Sequence, residues 1–154
     1  QGSYQDPSIS DLIRANNDAA IAAQNVVIAA ESLGIGSCYI GGIMENYEIH
    51  RELLNLEKFQ FPTAMLTLGY YKESAKKIKK SRFDSKYIVF ENKNKILSDD
   101  EIREMFKEQE KSFSPSNPYN AKNYGQMFYG RKNGSEYMKE IKRSIGLMLK
   151  NWMD

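Results

Sequence analysis

The residues best placed to do chemistry are the glycine pair Gly41-Gly42, which closes the run Gly34-Ile35-Gly36-Ser37-Cys38-Tyr39-Ile40. A short apolar strand ending in two residues without side chains leaves its backbone amides open to close approach. A flat ligand can rest on such a surface, so the pair is either a cofactor contact or an ordinary strand-to-helix turn. Charge supplies the second candidate. Between Lys72 and Lys86 seven basic residues (Lys72, Lys76, Lys77, Lys79, Lys80, Arg82, Lys86) face only Glu73 and Asp84. That local excess of five in a chain of net charge +2 leaves the remainder negative. Such a segment attracts anions or is simply solvated. Nucleic acid is not expected, because the segment's aromatics are few, Tyr70, Tyr71 and Phe83 among them, and no nucleic-acid motif accompanies them.

The chain has one cysteine and one histidine. A disulfide framework within the chain, a thiolate zinc site, a multi-histidine metal site and a Ser-His triad away from His50 are therefore excluded. No catalytic side chain and no metal ligand is assigned. Cys38 reads as a small core residue. His50, beside Arg51 and Glu52, reads as a surface residue.

These candidates need elements to position them. The 154 residues, 41% hydrophobic and 12% aromatic, fit one globular domain. No apolar run approaches the roughly 20 residues that span a bilayer, and no signal peptide is visible. The expected protein is soluble and cytoplasmic. A first helix should run from Ser8 or Ser10 to Leu33, with Ser10 as cap, Asp11 in the first turn and Gly34 as stop. Its alanines suit a central helix packed on more than one side. Cys38 to Ile40 reads as a buried strand, and Tyr47 to Asn55 as a helix with Ile49, Leu53 and Leu54 inward. The almost unbroken apolar run from Phe61 to Tyr70 reads as a strand buried on both faces. Lys86 to Phe90 reads as extended. Ser98 and Glu101 form a capping box for a helix with Ile102, Met105, Phe106 and Gln109 inward. A Pro-containing loop spans Ser112 to Asn120, and the aromatic stretch 119–131 reads as a lid or as core padding. The last helix, Ser135 to about Trp152, places Met138, Ile141, Ile145, Met148, Leu149 and Trp152 on one face.

Taken in order, Asp18-Ala19-Ala20-Ile21-Ala22-Ala23-Gln24-Asn25, the run from Ala29 to Ile43, Leu66-Thr67-Leu68-Gly69-Tyr70, Lys80-Ser81-Arg82-Phe83 and Glu91-Asn92 resemble the FMN-dependent nitroreductase and flavin reductase family. The likeness is to its NADPH-preferring, oxygen-insensitive branch and covers about residues 8–92. It implies an α+β fold, a three-layer α/β/α sandwich that forms an intertwined homodimer with FMN at the interface. It also implies a ping-pong cycle in which NADPH or NADH reduces the flavin, which then reduces a nitroaromatic, a quinone or a free flavin. The partners are thus a small-molecule electron acceptor and a second copy of the chain. The cofactor carries the redox chemistry, and the protein orients it. A non-catalytic flavin-binding or flavin-storage module on the same fold is the alternative.

By the same resemblance, Tyr39, Ile40, Gly41 and Gly42 lie along the isoalloxazine ring, with glycine amides donating near N5 and O4. Tyr39 either stacks on the ring or packs beside it. Lys80 and Arg82 match the family's Lys-Pro-Arg phosphate clamp, although Ser81 replaces the proline and loosens it. Arg131 is a candidate for the NADPH 2′-phosphate or the substrate. The family's Arg-Ser-x-Arg motif has no counterpart here. Residues 1–154 therefore read as the C-terminal portion of one FMN-binding domain and are not expected to form a stable FMN enzyme alone.

Overall fold

The structure, a computed structural model, describes residues 3, 5–72, 74 and 82–154. They divide into two compact units, Gln1–Ala75 with Glu136–Asp154, and Lys76–Ser135.

The first unit opens with helix α1, Ile9–Ser32. Its cap is Ser8 rather than Ser10. The Asp11 carboxylate accepts from the Ser8 amide at 2.9 Å and from its hydroxyl at 2.7 Å, which satisfies groups that the helix start leaves open. At the far end Gly34 takes φ +72°. The Ile35 amide then reaches back to the Ala30 carbonyl at 2.9 Å and stops the helix. Strand β1, Gly36–Ile40, leads into a 3₁₀ turn, Gly41–Met44. Helix α2, Tyr47–Leu53, follows, and then strand β2, Met65–Gly69. The strands pair antiparallel from Gly36 opposite Gly69 to Ile40 opposite Met65.

Three expectations are corrected here. Cys38 is exposed, not core. The Phe61 to Tyr70 run is a strand only over Met65–Gly69, and Met65 and Leu68 are exposed. Both changes have one cause: the two strands are the whole sheet among the described residues, so no third strand flanks them there. Likewise, Ile49, Leu53 and Leu54 of α2 face outward, and the helix buries Tyr47 instead.

Helix α6, Glu136–Met153, supplies the packing for this unit. It buries Ile141, Ser144, Met148 and Trp152 on one face. The Trp152 ring meets Phe59 edge-on with centroids 5.4 Å apart, and its indole N–H donates to the Ser8 carbonyl at 3.1 Å. The end of α6 is thereby tied to the start of α1.

The second unit begins its described part with a 3₁₀ turn, Ser85–Tyr87. Extended structure was expected from Lys86, but the Asp84 carboxylate accepts from the Lys86 amide at 3.0 Å and curls the chain. Helix α3, Asp99–Met105, carries the expected Ser98–Glu101 capping box. Helices α4, Lys107–Glu110, and α5, Tyr124–Tyr129, follow, and a π turn, Gly130–Gly134, ends the unit. Its centre is a row of rings, Phe83, Phe106, Tyr124 and Phe128, with successive centroids 5.1, 6.2 and 6.2 Å apart. The Asn117 side chain organises the 112–120 loop: its amide nitrogen donates to the Ser114, Pro115 and Ala121 carbonyls, and its oxygen accepts from the Tyr119 and Ala121 amides. A Cβ at Gly130 would lie 3.0 Å from the Tyr119 Cβ, so this turn and this loop touch through a missing side chain. No described helix is long and apolar enough to cross a membrane.

Candidate functional site

The glycine pair sits in the first unit, where β1 gives way to the 3₁₀ turn. The opening amides of such a turn have no acceptor inside it. Gly41 is exposed and Gly42 half-buried. Tyr39 and Ile40 precede them in β1, opposite Leu66 and Met65, with Tyr39 43% exposed and Ile40 half-buried. The four residues thus form one accessible backbone ribbon.

Two side chains close on this ribbon that no motif had singled out. A Cβ at position 42 would sit 3.2 Å from Glu45 Oε1 and 3.9 Å from the Tyr137 hydroxyl, and one at position 41 would sit 4.0 Å from that same hydroxyl. The space over the glycines is therefore bounded by a carboxylate and a phenol. A lone tyrosine in the first turn of a helix has no spacing that could reveal this from sequence.

The ribbon is held by α6. Asn46, in the left-handed region at φ 49°, ends the turn. Its amide donates to Glu140 Oε1 at 3.0 Å, and the next amide, of Tyr47, donates to the Ser144 hydroxyl at 3.1 Å. The Ser144 hydroxyl in turn donates to Glu140 Oε1 at 2.8 Å and is fully buried. Arg143 reaches both oxygens of Glu48 at 2.7 and 2.9 Å, a two-pronged pairing, and also grips Glu140. Hydrogen bonds from Arg143, Ser144 and the Asn46 amide pull the Glu140 carboxyl down to about 2, and Arg143 does the same to Glu48. The Arg143 guanidinium is raised in turn. His50 is half-buried, with Nδ1 2.7 Å from the Glu45 carbonyl, not free on the surface.

The remaining candidates fall in the second unit or outside the described residues. Lys80 is outside them, as are Lys76, Lys77, Lys79 and Ser81. Arg82 is exposed and lines a cleft of about 410 Å³ with Asp84, Lys86, Tyr87 and Glu104 among others. Arg131 is exposed on the π turn, its guanidinium 5.7 Å from the centre of the Phe128 ring. That distance suits a cation–π contact. Among the described residues no group of three or more His, Cys, Asp or Glu could hold a metal ion. An accessible glycine backbone beside a hydrogen-bonding phenol fits a planar cofactor, which needs flat contact and a few donors at its edge.

Residues 4–70 match the model of the nitroreductase family. An oxygen-insensitive NADPH nitroreductase of Salmonella typhimurium is 40% identical over 82 residues, which is 53% of this chain and 33% of that protein. An FMN reductase (NADPH) of Bacillus subtilis is 39% identical over 83 residues, covering 54% of this chain and 32% of that protein. Among solved structures, nitroreductase A of Vibrio parahaemolyticus superposes with a TM-score of 0.68 at 23% identity, over 94% of this chain and 58% of that one. The chain thus matches about a third of the length of these curated relatives and spans under two thirds of the solved structure. The chain is thus similar to the nitroreductases, in sequence over residues 4–70 and in its α+β fold in the described residues.

Proposed function

We propose that this chain is part of an FMN-dependent oxidoreductase that takes electrons from NADPH or NADH and passes them, in a ping-pong cycle, to nitroaromatics, quinones or flavins. The observation that carries the reading is the open Tyr39–Gly42 ribbon, which lies inside the segment matched by the nitroreductase family. Bound FMN would supply the two-electron chemistry, and the chain's residues would hold and orient it. In this reading Tyr39, Ile40, Gly41 and Gly42 lie along the ring, and the amides of the glycines donate to its edge. Lys80 and Arg82 bind the phosphate, the arginine able to engage two oxygens at once. Arg131, held over Phe128, offers its guanidinium edge to the anionic part of the electron donor or to the acceptor.

The same reading makes the protein a homodimer with FMN at the interface. The exposed apolar residues Ile13, Ile21 and Ile28, on one side of α1, supply a surface for such pairing. An exposed free thiol, Cys38, suits the reducing cytoplasm. The test is anaerobic spectroscopy of the whole oxidoreductase that contains this chain, loaded with FMN. NADPH should bleach the flavin band at once, and a nitroaromatic should restore it. Binding without bleaching would instead make the protein a flavin-storage module, and absence of binding would sink both readings.

A further inference from the structure

We propose that Tyr137 is a cofactor-contacting residue, its phenol donating a hydrogen bond to a ring-edge oxygen of the planar group that lies on Gly41-Gly42; this rests on the FMN reading above. The geometry is specific to the first turn of α6. The hydroxyl lies 4.0 Å from the Cβ position of Gly41 and 3.9 Å from that of Gly42, centred on the pair rather than on either glycine. A ring in van der Waals contact with these two residues has its edge within a few ångströms of the phenol. Glu45 and Ile40 also close on Gly42; a carboxylate offers acceptors, and an aliphatic chain offers neither donor nor acceptor. Carbonyl oxygens at the edge of a flavin need donors, so on this face the side-chain donor is Tyr137. The residue is 45% exposed, which leaves it room to adjust to a ligand without unpacking a core.

The placement of the phenol is enforced. Tyr137 stands three residues before Glu140, on the same side of α6. Glu140 binds the Asn46 amide at 3.0 Å, and Ser144, one turn further on, binds the Tyr47 amide at 3.1 Å. The helix that carries the phenol is therefore bolted to the residues that end the glycine turn. Glu140 and Ser144 act as positioning residues, and Tyr137 acts as the contact.

Two measurements on the whole FMN-loaded protein test this. Tyr137→Phe removes one oxygen and keeps the ring, so packing is preserved. It should weaken FMN binding about three- to tenfold, the value of one net hydrogen bond. Independently, 3-fluorotyrosine incorporated into the unmutated protein gives a ¹⁹F resonance for position 137, identified by its absence in the Tyr137→Phe spectrum. That resonance should shift as FMN is titrated in. FMN bound equally tightly by both proteins, with the resonance unmoved, overturns the contact alone. No FMN binding by the unmutated protein overturns the functional reading and the contact with it.

Discussion

Two helices of the first unit make opposite use of their apolar residues. α6 mixes charge with hydrophobe, yet it buries a complete face: Ile141, Ser144, Met148 and Trp152 are all inside. α1 is longer and richer in alanine and isoleucine, and it buries only Leu12 and Ala30. Its Ile13, Ile21, Val26 and Ile28 stand exposed. The difference teaches that apolar content does not decide burial; a partner surface does. α6 meets Phe59, Asn46, Tyr47 and the start of α1, whereas the isoleucines of α1 meet no such cover among the described residues. The fixed helix holds the glycine turn, and the open one leaves its isoleucines exposed.

Replacing Trp152 with Ala tests the comparison most severely. It empties the Phe59 contact and removes the bond to Ser8, and it should cost about 3–5 kcal/mol in urea unfolding. Ser144→Ala should cost about 1–3 kcal/mol, because the Tyr47 amide and the Glu140 carboxylate each lose a buried partner. Its unfolding midpoint should fall in the same assay. Ile28→Lys on α1 should change unfolding by less than about 0.5 kcal/mol. The same variant should lower the dimer fraction in sedimentation. If Ile28→Lys proved as damaging to folding as Trp152→Ala, the two helices would be alike and the contrast would fail.

Local signals were legible in the sequence. Gly34 stops α1 by a backbone conformation that needs no tertiary help, and the Ser98–Glu101 box opens α3 through contacts three residues apart. The inner face of α6 was also legible, since Ile141, Met148 and Trp152 keep helical spacing. Orientation and cover were not. Ile49, Leu53 and Leu54 look like an inward stripe, but Tyr47 and Ser144, 97 residues apart, decide which way α2 faces. The strand at Met65–Gly69 reads as doubly buried because sequence records apolarity and not the number of neighbouring strands. At the candidate site the glycines announced themselves by type. Tyr137 and Glu140 did not, because their part comes from a contact across more than ninety residues.

The close approach of Gly130 to Tyr119 has a consequence for substitution. At position 130 even an alanine methyl would press on the Tyr119 Cβ, an atom that no rotamer change can move aside. Tyr119 in turn hangs by its amide from Asn117. An alanine at position 130 therefore requires the chain at Tyr119 to give way by a few tenths of an ångström. In a library randomised at position 130, glycine should be enriched over alanine among the folded variants.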